Sequence, residues 1–489
     1  MEKSPTRFKQ LIPQVLLGLV AAMTTVPSGM NMGFPSVALT PLTSNNTEGH
    51  LDQEQASWFA SISSIATPVG CLVCGPLLDR FGRRAGLLSL APVFTAGWLL
   101  LLLRPACPAS LYLARVVAGL GTGLASVPGA IFLGEAADRG VRGAFVAWPS
   151  VAISLGIFAV YVLGALFKEH WRSVALLSAA VPPATALLTY LFVPETPTWL
   201  LTRGRVREAE ASFRKLRNLD GTQDIPEDLG REFRAMSVRA AAEPPETGDV
   251  GYVVACRRAL APLRLPQAWK PLVVLNTYFF FQQFSGIYVV VGYAVDMVEL
   301  AGVVVDAYTA AVVLATVQLV AGVVVSFMMT SCGRRPLSIA SGSGMTTCMF
   351  ALAVYLQISG VDSRTSHAVW LPLTALSLYV LSNAIGFHTL PWAMIGEIFP
   401  ARVSGLAGGI TTFMAYLFNF FALKTYPTLK TSLGAPGVFY LYGSVSLLAT
   451  VFVAIFLPET HGKTLHEIEE MFAPGRCTPG TNHKAEGCV

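Results

Sequence analysis

The chain reads as an all-α polytopic membrane protein, with twelve transmembrane helices in two six-helix halves and a polar helical linker between them. Three observations predict this. Of 489 residues, 53% are hydrophobic and only 13% charged, against about 25% charged in soluble domains. Apolar runs of roughly 20 residues, the length that crosses a bilayer, recur along most of the chain. Short motifs of the first half return at corresponding places in the second. Backbone groups in hydrocarbon need internal partners, so each run must be a helix. The alternation of a barrel strand is not visible.

The expected spans run near 11–36, 55–78, 86–103, 109–135, 144–167 and 172–193, then 271–298, 305–329, 336–358, 368–396, 402–426 and 435–457. Span one follows Lys3, Arg7 and Lys9 closely and is too long for the apolar core of a cleaved signal peptide. Between spans six and seven lies Glu195–Lys270, rich in Arg and Glu with Ala and Leu interleaved. Within it Arg205–Arg217 has the period of an amphipathic helix, and Pro244–Gly248 reads as a loop. The domain division is therefore 1–193, a linker at 194–270, a second half at 271–457 and a tail at 458–489.

Orientation follows from Lys and Arg. With both termini and the linker in the cytoplasm, the other face keeps only Arg104, Lys168, Arg172, Arg364, Lys424 and Lys430. The bias survives when the long linker is discounted. Topology thus accounts for the +5 net charge, and the expected partner is the lipid bilayer, not nucleic acid. The sequon Asn45–Asn46–Thr47 falls outside, where Asn45 is an expected glycosylation site. The eight cysteines form no disulfide framework. Cys71, Cys74 and Cys348 fall in spans, Cys256, Cys332, Cys477 and Cys488 on the cytoplasmic side, and Cys107 alone outside. Cys71-x-x-Cys74 lacks a second ligand pair nearby, so it reads as core packing, and no metal site is expected.

The halves echo each other at an offset of six spans. Gly82–Arg83–Arg84 after span two matches Gly333–Arg334–Arg335 after span eight. Glu135 and Arg142 bracket the end of span four as Glu397 and Arg402 bracket that of span ten. Pro194–Glu195–Thr196 follows span six as Pro458–Glu459–Thr460 follows span twelve. Three matches in register indicate an internal duplication of parallel orientation.

Inside span seven, Gln282 and Gln283 stand side by side, followed by Ser285–Gly286. An amide in hydrocarbon needs a partner, so it faces another helix or a watery cavity. From the residues alone both readings stand. The pair either ties neighbouring helices together or offers uncharged donors and acceptors to a neutral polyhydroxyl ligand.

These motifs resemble the sugar porter family of the major facilitator superfamily over nearly the whole chain. Gly75–Arg84 is similar to the superfamily's loop motif, and Arg115 with Gly119, Gly121 and Gly123 to the start of its span four. Pro194–Leu200, Gln282–Ile287 and Pro458–Leu465 are similar to the family's motifs after span six, in span seven and in the tail. Ser57–Trp58, Gly134–Glu135 and Lys424–Thr425 further resemble arthropod facilitated trehalose transporters and animal facilitative glucose transporters. There are departures. Thr330–Ser331–Cys332 lacks the usual acid and base before Gly333. Tyr288 stands where the family usually has Asn, Gly292 where it has Tyr, Ser150 where it often has Gln, and Tyr416 where it has Trp. Span ten reads Gly386–Phe387–His388–Thr389–Leu390–Pro391–Trp392 in place of Gly-Pro-x-x-Trp. The scaffold is kept and the pocket altered.

The resemblance implies a major facilitator fold and alternating-access transport of a neutral sugar, hexose or trehalose, by a multi-pass protein of the plasma membrane. Its candidate sugar contacts are Gln282, Gln283, Tyr288, Tyr293, Trp392 and Asn419. It also implies a cytoplasmic gate that joins the halves when the site opens outward and breaks for inward opening, made of Asp79, Arg83, Arg84, Glu135, Arg142, Glu195, Arg334, Arg335, Glu397, Arg402 and Glu459. His388 either contacts sugar, titrates, or bonds a backbone carbonyl. No catalytic constellation and no phosphate-binding Gly-Lys-Ser/Thr loop is visible, so neither an enzyme nor a nucleotide cofactor is expected. Span one carries no Asp or Glu, which favours facilitated diffusion over proton symport, with Asp296 and Glu299 at the outer end of span seven. A sugar receptor that no longer transports is a further reading on the same scaffold.

Overall fold

A computed structural model describes residues 5–44, 50–103, 107–136, 145, 147–168, 170–219, 226–242, 265–328, 332–359, 370–400, 403–463 and 465–472. Asn45, Arg142 and Arg402 lie outside these residues, as do Thr330, Ser331, Cys256, Cys477, Cys488 and the Pro244–Gly248 loop. Among the described residues every regular element is a helix.

Ten helical segments are long and apolar enough to cross a membrane. The twelve expected spans are recovered from them by two details. Spans eleven and twelve run on as one helical segment, Ser404–Phe456, which turns at Gly434 (φ 69°) just before Pro436. Span seven is broken into Pro266–Phe284, Ile287–Gly292 and Ala294–Leu300, none of which is both long and apolar enough to be counted alone. Span ten is interrupted too, as Leu371–Ile385 and Leu390–Ile398. Local sequence explains the ends. Asp52 caps span two, accepting from Gln55 N at 2.7 Å while Gln55 Oε1 accepts from Asp52 N at 3.1 Å. Prolines open several helices, where a missing N–H leaves no intrahelical bond unmade.

In the first half, span two packs on span four and span one on span five. Small residues set these distances. A Cβ at Gly156 would lie 2.1 Å from Val26 O, and one at Gly29 1.9 Å from Ile153 O, so spans one and five touch backbone to backbone. In the second half, span nine packs on span ten and on the eleven–twelve segment. Three contacts join the halves: span two on eleven, five on eight, and one on the outer pieces of seven. Large apolar side chains such as Leu72, Leu166 and Ile358 are exposed on the outside of the bundle, where lipid would cover them.

Among its described residues the linker contains the helices Pro197–Thr202, Val206–Leu216 and Glu227–Ala242. They pack beneath the first half. Trp199 Nε1 donates to the Asp79 carbonyl at 3.0 Å, and buried Arg217 donates to Ala136 O at 3.1 Å while pairing with Glu232 at 2.8 Å.

Candidate functional site

The two broken spans meet at the centre of the bundle. After Phe284 the backbone enters the left-handed region at Gly286 (φ 99°), where a side chain would be strained and a Cβ would fall 2.8 Å from the Tyr442 ring. Span ten opens between Gly386 and Thr389, which leaves carbonyls without helical partners. Gln282 serves them. Its Nε2 donates to Phe387 O at 2.6 Å and to His388 O at 3.0 Å. The His388 amide in turn donates to Asn383 O at 2.9 Å.

Two cavities lie between the halves beside this junction. The larger, about 420 Å³, is lined by Asn31, Ser63 and Arg115 from the first half and Tyr288, Tyr416 and Asn419 from the second, among others. The smaller, about 340 Å³, is lined by Ser150 and Ser154 of span five, Gln318 and Ser326 of span eight, and His388 and Thr389 of span ten, among others. Their walls mix aromatic faces with amides and hydroxyls, a surface suited to an uncharged polar ligand. Among the described lining residues there is no carboxylate.

The six residues expected to contact a ligand separate here. Tyr288 and Asn419 line the larger cavity. The Asn419 amide oxygen also takes a long bond from Ser64 across the halves, at 3.5 Å. Gln283 is buried with its Oε1 unpartnered, and its amide and Trp392 both reach the Tyr288 hydroxyl. Trp392 stacks edge-on with Phe279 at 4.8 Å and tilts against Tyr416 at 5.7 Å, next to the cavity wall. Two expectations change. Gln282 lines neither cavity, and its amide hydrogens are committed to span ten, so of the two readings of the amide pair it takes the helix-tying one. Tyr293, set in the break between Gly292 and Ala294, is not itself a lining residue: it packs against Tyr426 at 4.7 Å and donates to Leu423 O at 3.4 Å, behind the Gly292 and Leu423 wall of the larger cavity.

Sequence reasoning missed Asn31, Gln318 and the lining role of Arg115. Buried Arg115 donates to the Asn31 carbonyl at 2.8 Å, to the Asn31 amide oxygen, and to Phe59 O at 3.2 Å. Asn31 Nδ2 then donates to Ser63 and Thr122, both at 3.0 Å. An Asn in span one with an Arg in span four was the available signal, since intramembrane polar groups face partners or cavities. Gln318 was equally visible as a lone amide in an apolar span, and its Nε2 is buried without a partner.

The two ends of the site differ. Far from the linker, the halves are bonded together. Lys424 of span eleven donates to Ser57 Oγ at 2.7 Å and lies 4.4 Å above the Trp58 ring. Trp58 packs on Phe420 at 5.7 Å, and Gln53 donates to Pro427 O at 3.2 Å. Where span seven breaks, its freed groups find partners in the first half: Tyr161 donates to Val291 O at 2.5 Å, and Val295 N donates to Ser36 Oγ at 3.1 Å. A surface pair, Lys168–Asp306 at 2.9 Å, joins spans five and eight.

At the linker end the charged motifs form two copies of one arrangement, each inside its own half. Arg83 pairs with Glu135 at 2.9 Å, and Glu195 accepts from the backbone N–H of Arg83 at 2.8 Å and Arg84 at 3.1 Å. Arg334 pairs with Glu397 at 2.9 Å, and Glu459 accepts from the backbone N–H of Arg334 at 2.9 Å and Arg335 at 3.1 Å. Each Glu thus sits on the N-terminus of span three or nine, where an anion is favoured. Asp79 contributes its main-chain carbonyl, bound by Trp199 and by Arg203 at 2.5 Å. Among the described residues, no ion pair crosses between halves at this end.

Burial would raise the Glu459 carboxyl, but the N–H groups of His461, Arg334 and Arg335 and the Arg334 charge outweigh it and hold it below the usual range.

The family model described as Sugar (and other) transporter matches residues 17–472. The chain is 31% identical over 474 residues to the facilitated trehalose transporter Tret1 of Apis mellifera ligustica, covering 97% of this chain and 90% of that one. It is 31% identical over 460 residues to trehalose transporter 1 of Drosophila melanogaster, covering 93% of this chain and 51% of that longer protein. Among solved structures it is similar to the major facilitator proton:xylose symporter XylE bound to 6-bromo-6-deoxy-D-glucose, with 23% identity, TM-score 0.73, and coverage of 95% of this chain and 100% of that one.

Proposed function

The chain belongs to the sugar (and other) transporter family, and from that premise we propose that it is a facilitative carrier of a neutral sugar, hexose or trehalose, working by alternating access. The observation that carries this is the space between the halves beside two helix breaks, lined by amides and hydroxyls and, among the described residues, by no carboxylate. Gln283, Tyr288, Trp392 and Asn419 are its proposed sugar contacts from the second half. Segments 1–193 and 271–457 are the proposed moving halves, with 194–270 as linker and 458–489 as tail.

The charge bias in the sequence supports an orientation with the linker and both termini in the cytoplasm, and the likeness to facilitative sugar transporters supports a plasma-membrane location. With that orientation the end whose halves are bonded together faces outside, which supports reading this conformation as inward-facing. The charged clusters of Arg83, Glu135 and Glu195, and of Arg334, Glu397 and Glu459, then act as the proposed cytoplasmic gate by setting the ends of spans three and nine. Asn45 is the proposed glycosylation site on the outer face.

Uniport is favoured over proton symport because Arg115 rests on the amide of Asn31, a group that cannot exchange a proton near neutral pH. The test is counterflow of labelled sugar in proteoliposomes. Exchange without a proton gradient supports a carrier. Saturable binding with no exchange would make the protein a sugar receptor on this scaffold.

A further inference from the structure

The two inter-half cavities share no lining residue. Tyr288 belongs to the wall of the larger and His388 to that of the smaller. Their rings are nearly parallel, 6.1 Å apart between centroids with an interplanar angle of 19°, within the range of an offset aromatic pair. Each ring is held in place. Trp392 and Gln283 reach the Tyr288 hydroxyl, while Gln282 and Asn383 fix the backbone at His388 from both sides.

We propose that Tyr288 and His388 form an aromatic partition that divides the site into two chambers and makes the carrier selective for a single sugar ring over a disaccharide. This deepens the sugar-carrier reading and rests on it. On this proposal a single ring occupies the larger chamber as the site opens, with the Tyr288 face toward its C–H surface and Asn419 toward its hydroxyls. A disaccharide needs a second ring's length, and extended toward the Gln318 chamber it would meet the paired rings, of which Tyr288 lines one cavity and His388 the other. Selection is steric, so it depends on ring bulk and not on the Tyr288 hydroxyl. Gln318, buried with an unused donor, is then reached only when the partition is removed.

The experiment measures uptake of labelled glucose and labelled trehalose into proteoliposomes. The proteins compared are the parent, Tyr288→Phe, Tyr288→Asn, His388→Gly and the double variant Tyr288→Asn/His388→Gly. Folding of each is checked by size-exclusion profile and melting temperature. The parent should prefer glucose, with trehalose a poor competitor. Tyr288→Phe should keep that preference. The double variant should raise trehalose uptake relative to glucose by about tenfold or more, the scale on which pocket size discriminates substrates. Parent protein that carries trehalose as readily as glucose would overturn the proposal without any variant. So would folded Tyr288→Asn and His388→Gly proteins that carry glucose with an unchanged ratio. Absence of all sugar exchange in every protein would instead overturn the carrier reading, and the proposal with it.

Discussion

Arg115 is a buried cation whose side-chain partner is the neutral amide of Asn31. The backbone carbonyls of Asn31 and Phe59 complete its set, and among the described residues no carboxylate pairs with it. The charge is therefore fixed by acceptors that do not titrate. Uptake should equilibrate across the membrane without concentrating sugar and without acidifying a weakly buffered lumen. Asn31→Leu removes an acceptor of a charged donor, at about 1.5–3 kcal/mol, and should lower the melting temperature by several degrees. Asn31→Asp should be tolerated and should make uptake pH-dependent. Sugar-dependent proton entry in the parent would refute this assignment.

Gln282 ties span seven to the break in span ten, and its replacement should be read there. Gln282→Ala leaves two buried carbonyls short of a donor, at about 1–3 kcal/mol for an unsatisfied group. Because those carbonyls belong to Phe387 and His388, the backbone under His388 should loosen. Glucose KM should rise several-fold, and trehalose should gain relative to glucose. A residue that bonded sugar directly would lose glucose affinity with the size preference intact. That split separates a positioning residue from a ligand.

Lys424, Ser57 and Trp58 clasp the end of the bundle away from the linker. A cation over an exposed or partly exposed ring contributes about 0.5–1 kcal/mol, so Trp58→Ala should shift the balance toward an opened outer end by two- to five-fold. The shift is limited to the differential stabilisation lost. A membrane-impermeant thiol reagent applied outside should label Ser64→Cys faster in the Trp58→Ala background. Equal labelling rates would show that the clasp does not set the balance.

The charged clusters at the linker end should act independently. Arg83 and Arg334 share no partner among the described residues, so losses from Arg83→Ala and Arg334→Ala should add in a double-mutant cycle. Each breaks charge-assisted bonds of about 1.5–3 kcal/mol before solvent screening. Strong non-additivity would show that the clusters are coupled across the halves.

Glu459 adds a pH signature to this region. Its folded carboxyl is held below the ordinary value, so its contribution is fully present above the unfolded pKa, about 4.3. It is lost as pH falls through the lower folded value. The melting-temperature gap between the parent and Glu459→Gln should persist at neutral pH and close in acid. A gap that stays constant down to strongly acidic pH would assign the difference to packing.

Composition and apolar run length were enough to determine the membrane class, the spans and the linker, because burial in lipid acts on every residue of a run and leaves a long signal. The motifs around Arg83 and Arg334 showed which charges recur, since duplication preserves local residue types. Partnership was not legible. Glu195 and Arg83 are far apart in the chain, and only the packed ends of spans three and six bring carboxylate to N–H. Neither could the sequence distinguish Gln282 from Gln283. Adjacent helix positions differ by about 100° in direction, so one amide meets the span-ten backbone and the other Tyr288. The facing of Tyr288 on His388, and of Arg115 on Asn31, was likewise decided only in three dimensions, because two helix breaks and two crossing spans set those distances.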